Sequence, residues 1–441
     1  MNKNSTEIDQ ADTRTFFVRV VMVILAGFAV TPMLSFWLGL LRGGAEPIWM
    51  GGANMMATLV ALLIAPTVRH LAPQPRLFGK AYLAIGLTVA AYGVGVSILV
   101  PPNALVPIAG WLFVAIAFLC ALSIAGAEAR GFDIGRWMAA MLLVAAALCI
   151  EIPLVLDAMD RAVSEPVAWH LAIPGFINVR TLGLPLSVGA AAGLGLIIAG
   201  VRSRSAMLAL ATLTVIAVAL LAWSGTRSGV VGAVAGLIAA LVVGRNATPF
   251  RLALAGVTLL AGLAASTAFH TPTNSFGVVN RLISNVGAIA ESAESGDIAT
   301  EIETAGSGRV RLWAWFADQI AERPLLGHGY LTAAQYHDGS YEKNAHNLVL
   351  ELAFGMGVPF TIVVCLWLAA VTGAALLRAV RIADPVLAPA ASVVVCVAVD
   401  GMMSSALSTP YSLYAFAMAL GALIGGARHA ATTATSESPL D

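Results

Sequence analysis

Charge is what this chain lacks. Only 11% of its 441 residues are Asp, Glu, Lys or Arg, against about 25% in an ordinary soluble domain. With 59% hydrophobic residues, that shortage excludes a soluble globular protein and predicts an integral membrane protein. Net charge is zero, which gives no general case for nucleic acid or acidic partners. Cysteine is sparse as well. Cys120, Cys149, Cys365 and Cys396 all sit in apolar runs, so they read as small core residues, not as disulfides or metal ligands. The segment Met1–Thr15 is polar and includes acids. It lacks the basic start and small-residue cleavage site of a signal peptide, so Phe17 opens a retained first span. No Walker A loop is present, and with it goes any indication of an ATP-driven mechanism. There is no Asp-x-Asp pair of the kind that holds a metal-bound sugar nucleotide, and no fixed-period repeat.

What is there is apolar helix. A spanning helix needs about 20 apolar residues, and the runs predict an all-α integral membrane protein of about twelve transmembrane helices. They fall near 17–40, 48–68, 81–100, 104–126, 137–156, 181–200, 206–223, 229–244, 252–268, 357–377, 384–404 and 410–427, the eighth and ninth being short. The expected organisation is a cytoplasmic tail 1–16, transmembrane helices 17–268, a periplasmic loop 269–346, helices 347–427 and a cytoplasmic tail 428–441. That last tail, rich in Ser, Thr and Ala, is expected to be disordered after Arg428. Lys and Arg set the orientation. With the N-terminus inside, the inner turns hold Arg69, Arg76, Lys80, Arg130, Arg136, Arg202, Arg204, Arg245, Arg251, Arg378 and Arg381. The short outer loops hold only Arg42, Arg161, Arg180 and Arg227.

One long polar segment, about His270 to Ala345, interrupts this pattern and ends in Asn344-Ala345-His346-Asn347, where the apolar pattern resumes. Chemistry is therefore expected at the outer interface. Four features gather there. Phe176-Ile177-Asn178-Val179-Arg180, with Leu184, opens the sixth span. Ser224-Gly225-Thr226-Arg227-Ser228-Gly229 is a tight turn. Ser307-Gly308-Arg309-Val310-Arg311-Leu312-Trp313 precedes Pro324-Leu325-Leu326-Gly327-His328-Gly329-Tyr330. Ala345-His346-Asn347 is followed by Gly355 and Gly357.

Outer arginines run against the positive-inside bias. Either they bind an anion, for which the guanidinium fork suits phosphate oxygens, or they snorkel to headgroups and loop carboxylates. Arg180 and Arg227 lie in short loops with few acidic partners. His346 either deprotonates a sugar hydroxyl or bonds loop backbone at a helix start. His170, His270, His328 and His337 are rivals. Leu312, Trp315, Phe316 and Ile320 have helical spacing, which predicts a short amphipathic helix on the membrane surface or capping the bundle. The acidic stretch Glu291, Glu294, Asp297, Glu301 and Glu303 reads as a solvated loop rather than a metal site. Glu151 and Asp400 fall within apolar spans, near their outer ends, and an intramembrane carboxylate suggests function. Both are favoured as partners of an arginine or of His346.

These residues carry a resemblance. Across nearly its whole length the chain resembles the O-antigen ligase and polymerase superfamily of bacterial polytopic glycosyltransferases. The resemblance lies in Arg180-x-x-x-Leu184, in Arg309 four residues before Trp313, in Pro324-Leu-x-Gly-x-Gly329, and in His346-Asn347 with Gly357 beyond. Three residues after that glycine the family pattern expects Gly, Thr or Tyr, and this chain has Phe360. The resemblance implies a multi-pass protein of the bacterial inner membrane with its active site facing the periplasm. It implies an inverting transfer that needs no metal or cofactor. A glycan would move from an undecaprenyl-diphosphate carrier to a hydroxyl of lipid A–core oligosaccharide, or, in polymerases, to another lipid-linked repeat. It also implies roles. Arg180 and Arg309 hold the diphosphate, Arg227 assists, and Arg311, Trp313 and Asn347 line the substrate site. His346 activates the acceptor hydroxyl. From a different class, a transporter without enzyme activity would place its polar residues near the bilayer midplane, whereas here they gather at one interface.

Overall fold

A computed structural model describes residues 19–41, 88, 91–96, 99, 105–158, 173, 176, 179–201, 203–269, 277–279, 309–333, 344–404, 407 and 409–436. The expected span 48–68, most of 81–100 and the acidic stretch Glu291–Glu303 lie outside them. Among the described residues there is no strand. The helices are α1 (Arg19–Ala29), α2 (Thr31–Leu41), α3 (Leu105–Glu128), α4 (Ile134–Leu148), α5 (Glu151–Ala158), α6 (Val179–Ala199) and α7 (Arg204–Trp223). They continue with α8 (Arg227–Val243), α9 (Pro249–Ala265), α10 (Arg309–Glu322), α11 (Leu348–Met356), α12 (Val358–Ile382), α13 (Ala388–Met403) and α14 (Pro410–Ser436). Eight described spans are long and apolar enough to cross a membrane, α4 and α5 counting as one over Ile134–Leu156, or nine if the pair α1 and α2, bent by 48°, is one span as well. Helix α8, with 17 residues, is the short eighth span of the sequence reading.

Proline explains two irregularities within spans. Pro32 cannot donate to the Phe28 carbonyl, and the chain bends where α1 meets α2. Pro153 cannot donate to Cys149, so the expected span 137–156 divides at residues 149–150. There the bonds tighten to Cys149 N–H to Ala146 O and Ile150 N–H to Ala147 O. A third difference is a correction. Helix α14 runs on to Ser436, past Arg428, where disorder was expected. Ala and Thr sustain it, with the Thr432 and Thr433 hydroxyls each donating to the His429 carbonyl.

Helix α6 is the axis of the bundle. It is apolar on every side, so it belongs inside, and its whole spanning window is buried. Helices α4, α7, α8 and α13 surround it. The most extensive helix pair is α8 with α13. A Cβ on Gly232 would stand 2.7 Å from Cys396 O, and one on Gly236 would stand 2.6 Å from Ser392 O. Small residues four apart let the two backbones close up where lipid supplies no hydrophobic drive between helices. Residue 228 thereby comes opposite residue 400.

Candidate active site

The site grows from the contact between α6 and the turn before α8. Gly183, three residues after Arg180, is packed so closely on Thr226 that a Cβ there would overlap the threonine side chain. Arg180 thus lies in the first turn of α6, beside the 224–229 turn. That turn is tied down internally. Ser224 Oγ lies 2.7 Å from Leu221 O and 2.9 Å from Thr226 Oγ1, and Gly225 takes a φ of 71°. Ser224, Thr226 and Ser228 are buried. Arg227, between them, is half-buried at the start of α8.

Asp400, buried in α13, joins these elements. Ser187 of α6 approaches its Oδ2 at 3.3 Å, Ser404 approaches its Oδ1 at 2.8 Å, and Ser228 of α8 also donates to the carboxylate. Arg309, the first residue of α10, contributes a favourable charge at Asp400. Of the two intramembrane carboxylates singled out from sequence, Asp400 is held by serines. Glu151 instead accepts from Trp37 Nε1 at 2.7 Å.

Helix α10 is the amphipathic helix that the spacing predicts. Leu312 and Phe316 are buried against Ala345 and Phe354, with Trp315 and Ile320 at the edge of the same cluster. Trp315 lies 5.9 Å from the Phe354 ring and Phe316 5.2 Å from it. Arg311 is two residues from Arg309, about 200° round the helix at 3.6 residues per turn. It is exposed, so the structure does not bring the two arginines to one side. Trp313 Nε1 donates to Ala345 O at 2.9 Å. This bond pins the residue just before His346 to the arginine-bearing helix.

His346 is half-buried, with a φ of 50°, in the left-handed region that histidine enters more readily than most residues. Asn347 is the N-cap of α11, its Oδ1 accepting from Val349 N and Leu350 N at 3.0 and 3.2 Å. That oxygen is committed to the helix, and only the amide nitrogen of Asn347 is left for a ligand. Among the rival histidines, His170, His270 and His337 lie outside the described residues. His328 is buried, stacked on Phe354 at 4.6 Å, with Nε2 2.9 Å from Gln319 O. It belongs to the loop core.

The glycine-rich stretch 324–329 has a backbone reason. His328 N–H donates to Phe354 O, Gly329 N–H to Gly355 O and Val358 N–H to Pro324 O, at 2.7, 2.8 and 2.7 Å. A Cβ on Gly327 (φ 67°) would stand 2.6 Å from the backbone of residues 355–357, and one on Gly357 (φ 81°) would overlap the Leu325 carbonyl. Gly357→Ala is therefore expected to destabilise this junction by about 2 kcal/mol or more, from left-handed strain plus the clash. Limited proteolysis reads it as faster cleavage within 324–357, and wild-type resistance would refute the account.

Aromatic rings then seat the junction on the bundle. Tyr92 stacks on Phe360 at 4.9 Å and donates to Leu325 O at 2.8 Å, while Trp111 lies 5.7 Å from Tyr330. Phe360, the departure from the family pattern, is thus a packing residue in an apolar cluster. Burial, and next the Glu351 carboxylate, push the Tyr330 phenol above its usual range.

A cavity of about 510 Å³ opens at the opposite end of the bundle, among Glu128, Asp133, Arg136, Asp384 and His429. It touches none of the residues above. What sequence reasoning missed at the site is the serine set of Ser187, Ser228 and Ser404. A serine is as often back-bonded to its own helix as to a ligand, so only their shared partner marks them.

A family model described as O-Antigen ligase matches residues 212–365, from within α7 to within α12. The match takes in Arg227, Arg309 and His346 and leaves Arg180 and Asp400 outside. No curated protein matches the chain. Through residues 212–365, then, the chain is similar to the O-antigen ligase family.

Proposed function

We propose that this protein transfers a glycan from an undecaprenyl-diphosphate carrier to a hydroxyl of lipid A–core oligosaccharide, at the periplasmic face of the bacterial inner membrane. The observation that carries the reading is the convergence on Asp400. Ser187 of α6 and Ser228 of α8 bond it and the charge of Arg309 acts on it, while Gly183 packs the Arg180 end of α6 on the turn that holds Arg227 and Trp313 ties α10 to the residue before His346. Polar groups collected at one end suit an interfacial enzyme better than a transporter with a midplane site.

In this reading the acceptor oxygen attacks the anomeric carbon as the bond to the diphosphate oxygen breaks. His346 takes the hydroxyl proton. The two electrons of the broken bond leave with undecaprenyl diphosphate, whose charge Arg180, Arg227 and Arg309 offset. Fixed donors aimed at a developing charge are commonly the largest catalytic term. The first turn of α10 adds backbone N–H groups of the same sign. Attack opposite the leaving group inverts the anomeric centre.

The test is a gene deletion paired with reconstituted transfer. Deletion is expected to remove long chains from lipopolysaccharide while lipid-linked polymer accumulates. The purified protein is expected to restore transfer in excess chelator. Surface chains reduced to single repeats would make it a polymerase, and an unchanged profile would remove both. Activity lost with chelator and restored by magnesium or manganese would overturn the arginine-only mechanism.

A further inference from the structure

His346 keeps a left-handed backbone, with a φ of 50°. A residue other than glycine holds such a conformation only where its surroundings over-determine it. Its chain neighbours supply that. Upstream, Ala345 is fully buried among Leu312, Phe316 and Phe354. The Ala345 carbonyl also accepts from Trp313 Nε1 at 2.9 Å, across 32 positions of chain. Downstream, Asn347 Oδ1 accepts from Val349 N and Leu350 N and so starts α11. The backbone of His346 is therefore fixed on both sides, and its own side-chain torsions are left to aim the ring.

Trp313 is the member of this set whose task the sequence leaves open. An indole has one donor and no acceptor, and here the donor is spent on a main-chain carbonyl. It is not free to hold a sugar hydroxyl. The residue is 37% exposed, so burial alone does not account for its place. It stands four residues after Arg309 in α10, and residues at that spacing share one helix face.

We infer that Trp313 is a positioning residue for His346. Its N–H ties the turn that carries the base to the face of α10 on which Arg309 begins the helix. The proton acceptor and the arginine are thereby set out from one rigid element instead of from a loop. Holding a reacting group in its working geometry is a large share of what an enzyme contributes. The resemblance implies a substrate-lining role for Trp313, and the hydrogen bond gives it this other one.

The inference rests on the transfer reading, with His346 as the base, and the test separates the two. Trp313→Phe keeps an aromatic ring and loses the N–H. In the full-length protein in lipid nanodiscs, kcat for glycan transfer is expected to fall about tenfold, the scale of one hydrogen bond. KM for the undecaprenyl-diphosphate-linked donor is expected to stay within about twofold of wild type, since donor binding is not touched. Diethyl pyrocarbonate modification, followed by mass spectrometry of each histidine peptide, is expected to run several-fold faster at His346 in the variant. At His328, stacked on Phe354 in the loop core, it is expected to run equally in both proteins. A raised KM with kcat intact makes the ring a substrate platform and overturns the inference. Unchanged reactivity of His346 overturns it too, whatever happens to kcat. So does an equal rise at His328, which is what general loosening of the loop would give. If the wild-type protein transfers no glycan, the functional reading falls, and the reactivity of His346 against that of His328 alone decides the tether.

Discussion

His346→Ala is expected to lower glycan transfer by about 10²–10⁴-fold, the usual contribution of a positioned base, while binding of the diphosphate donor persists. The structure supplies a control that the sequence does not suggest. His346 sits at a φ of 50°, where alanine carries left-handed strain of about 1–2 kcal/mol. The alanine variant could therefore fail because the turn rearranges. Asparagine accepts that backbone and offers no base. Both variants are expected to be inactive, and His346→Asn is expected to keep wild-type melting behaviour. If His346→Asn transfers normally, the residue serves the turn and not the chemistry. His328→Ala provides the contrast. Its ring fills the loop core against Phe354, so its loss should appear first as lower stability.

The second large effect concerns the arginines. Arg180→Ala and Arg309→Ala are each expected to abolish transfer without removing the protein from the membrane. Lysine keeps the charge and loses the planar fork, so Arg309→Lys and Arg180→Lys are expected to restore little. Radiolabelled lipid-linked donor supplied to membranes containing each variant measures this directly. Full recovery with lysine at both positions would mean that charge alone suffices and that the diphosphate is not recognised by shape. Arg311→Ala makes the comparison sharper. Exposed on the other side of α10, it is expected to retain most activity although it lies only two residues from Arg309.

Much of this was legible in the residues. Leu312, Trp315, Phe316 and Ile320 predict one buried face for α10, and those residues form it together with Phe354 and Ala345. Asp400 was suspect because a lone acid in an apolar run needs a reason. The arginines attracted notice because they defied the charge bias. Other features had no signal in a linear pattern. Asn347 looks like a ligand-binding amide until the helix after it needs a cap. The tail beyond Arg428 looks disordered by composition, yet alanine-rich sequence continues a helix that is already nucleated, since extending a helix is far easier than starting one. The division at residues 149–150 follows from one proline, which the run of apolar residues conceals. The pairing of residues 324–329 with 354–358 is pure backbone, and no side-chain pattern encodes which carbonyl an amide will find.

That backbone pairing has a mechanical consequence. Three main-chain hydrogen bonds and two glycines without room for a methyl group join the end of α10 to the start of α12. Trp313 adds a fourth link to the residue before His346. Such a junction has no slack at the scale of a side chain. His346, helix α10 and the head of α12 are therefore expected to move as a single rigid piece.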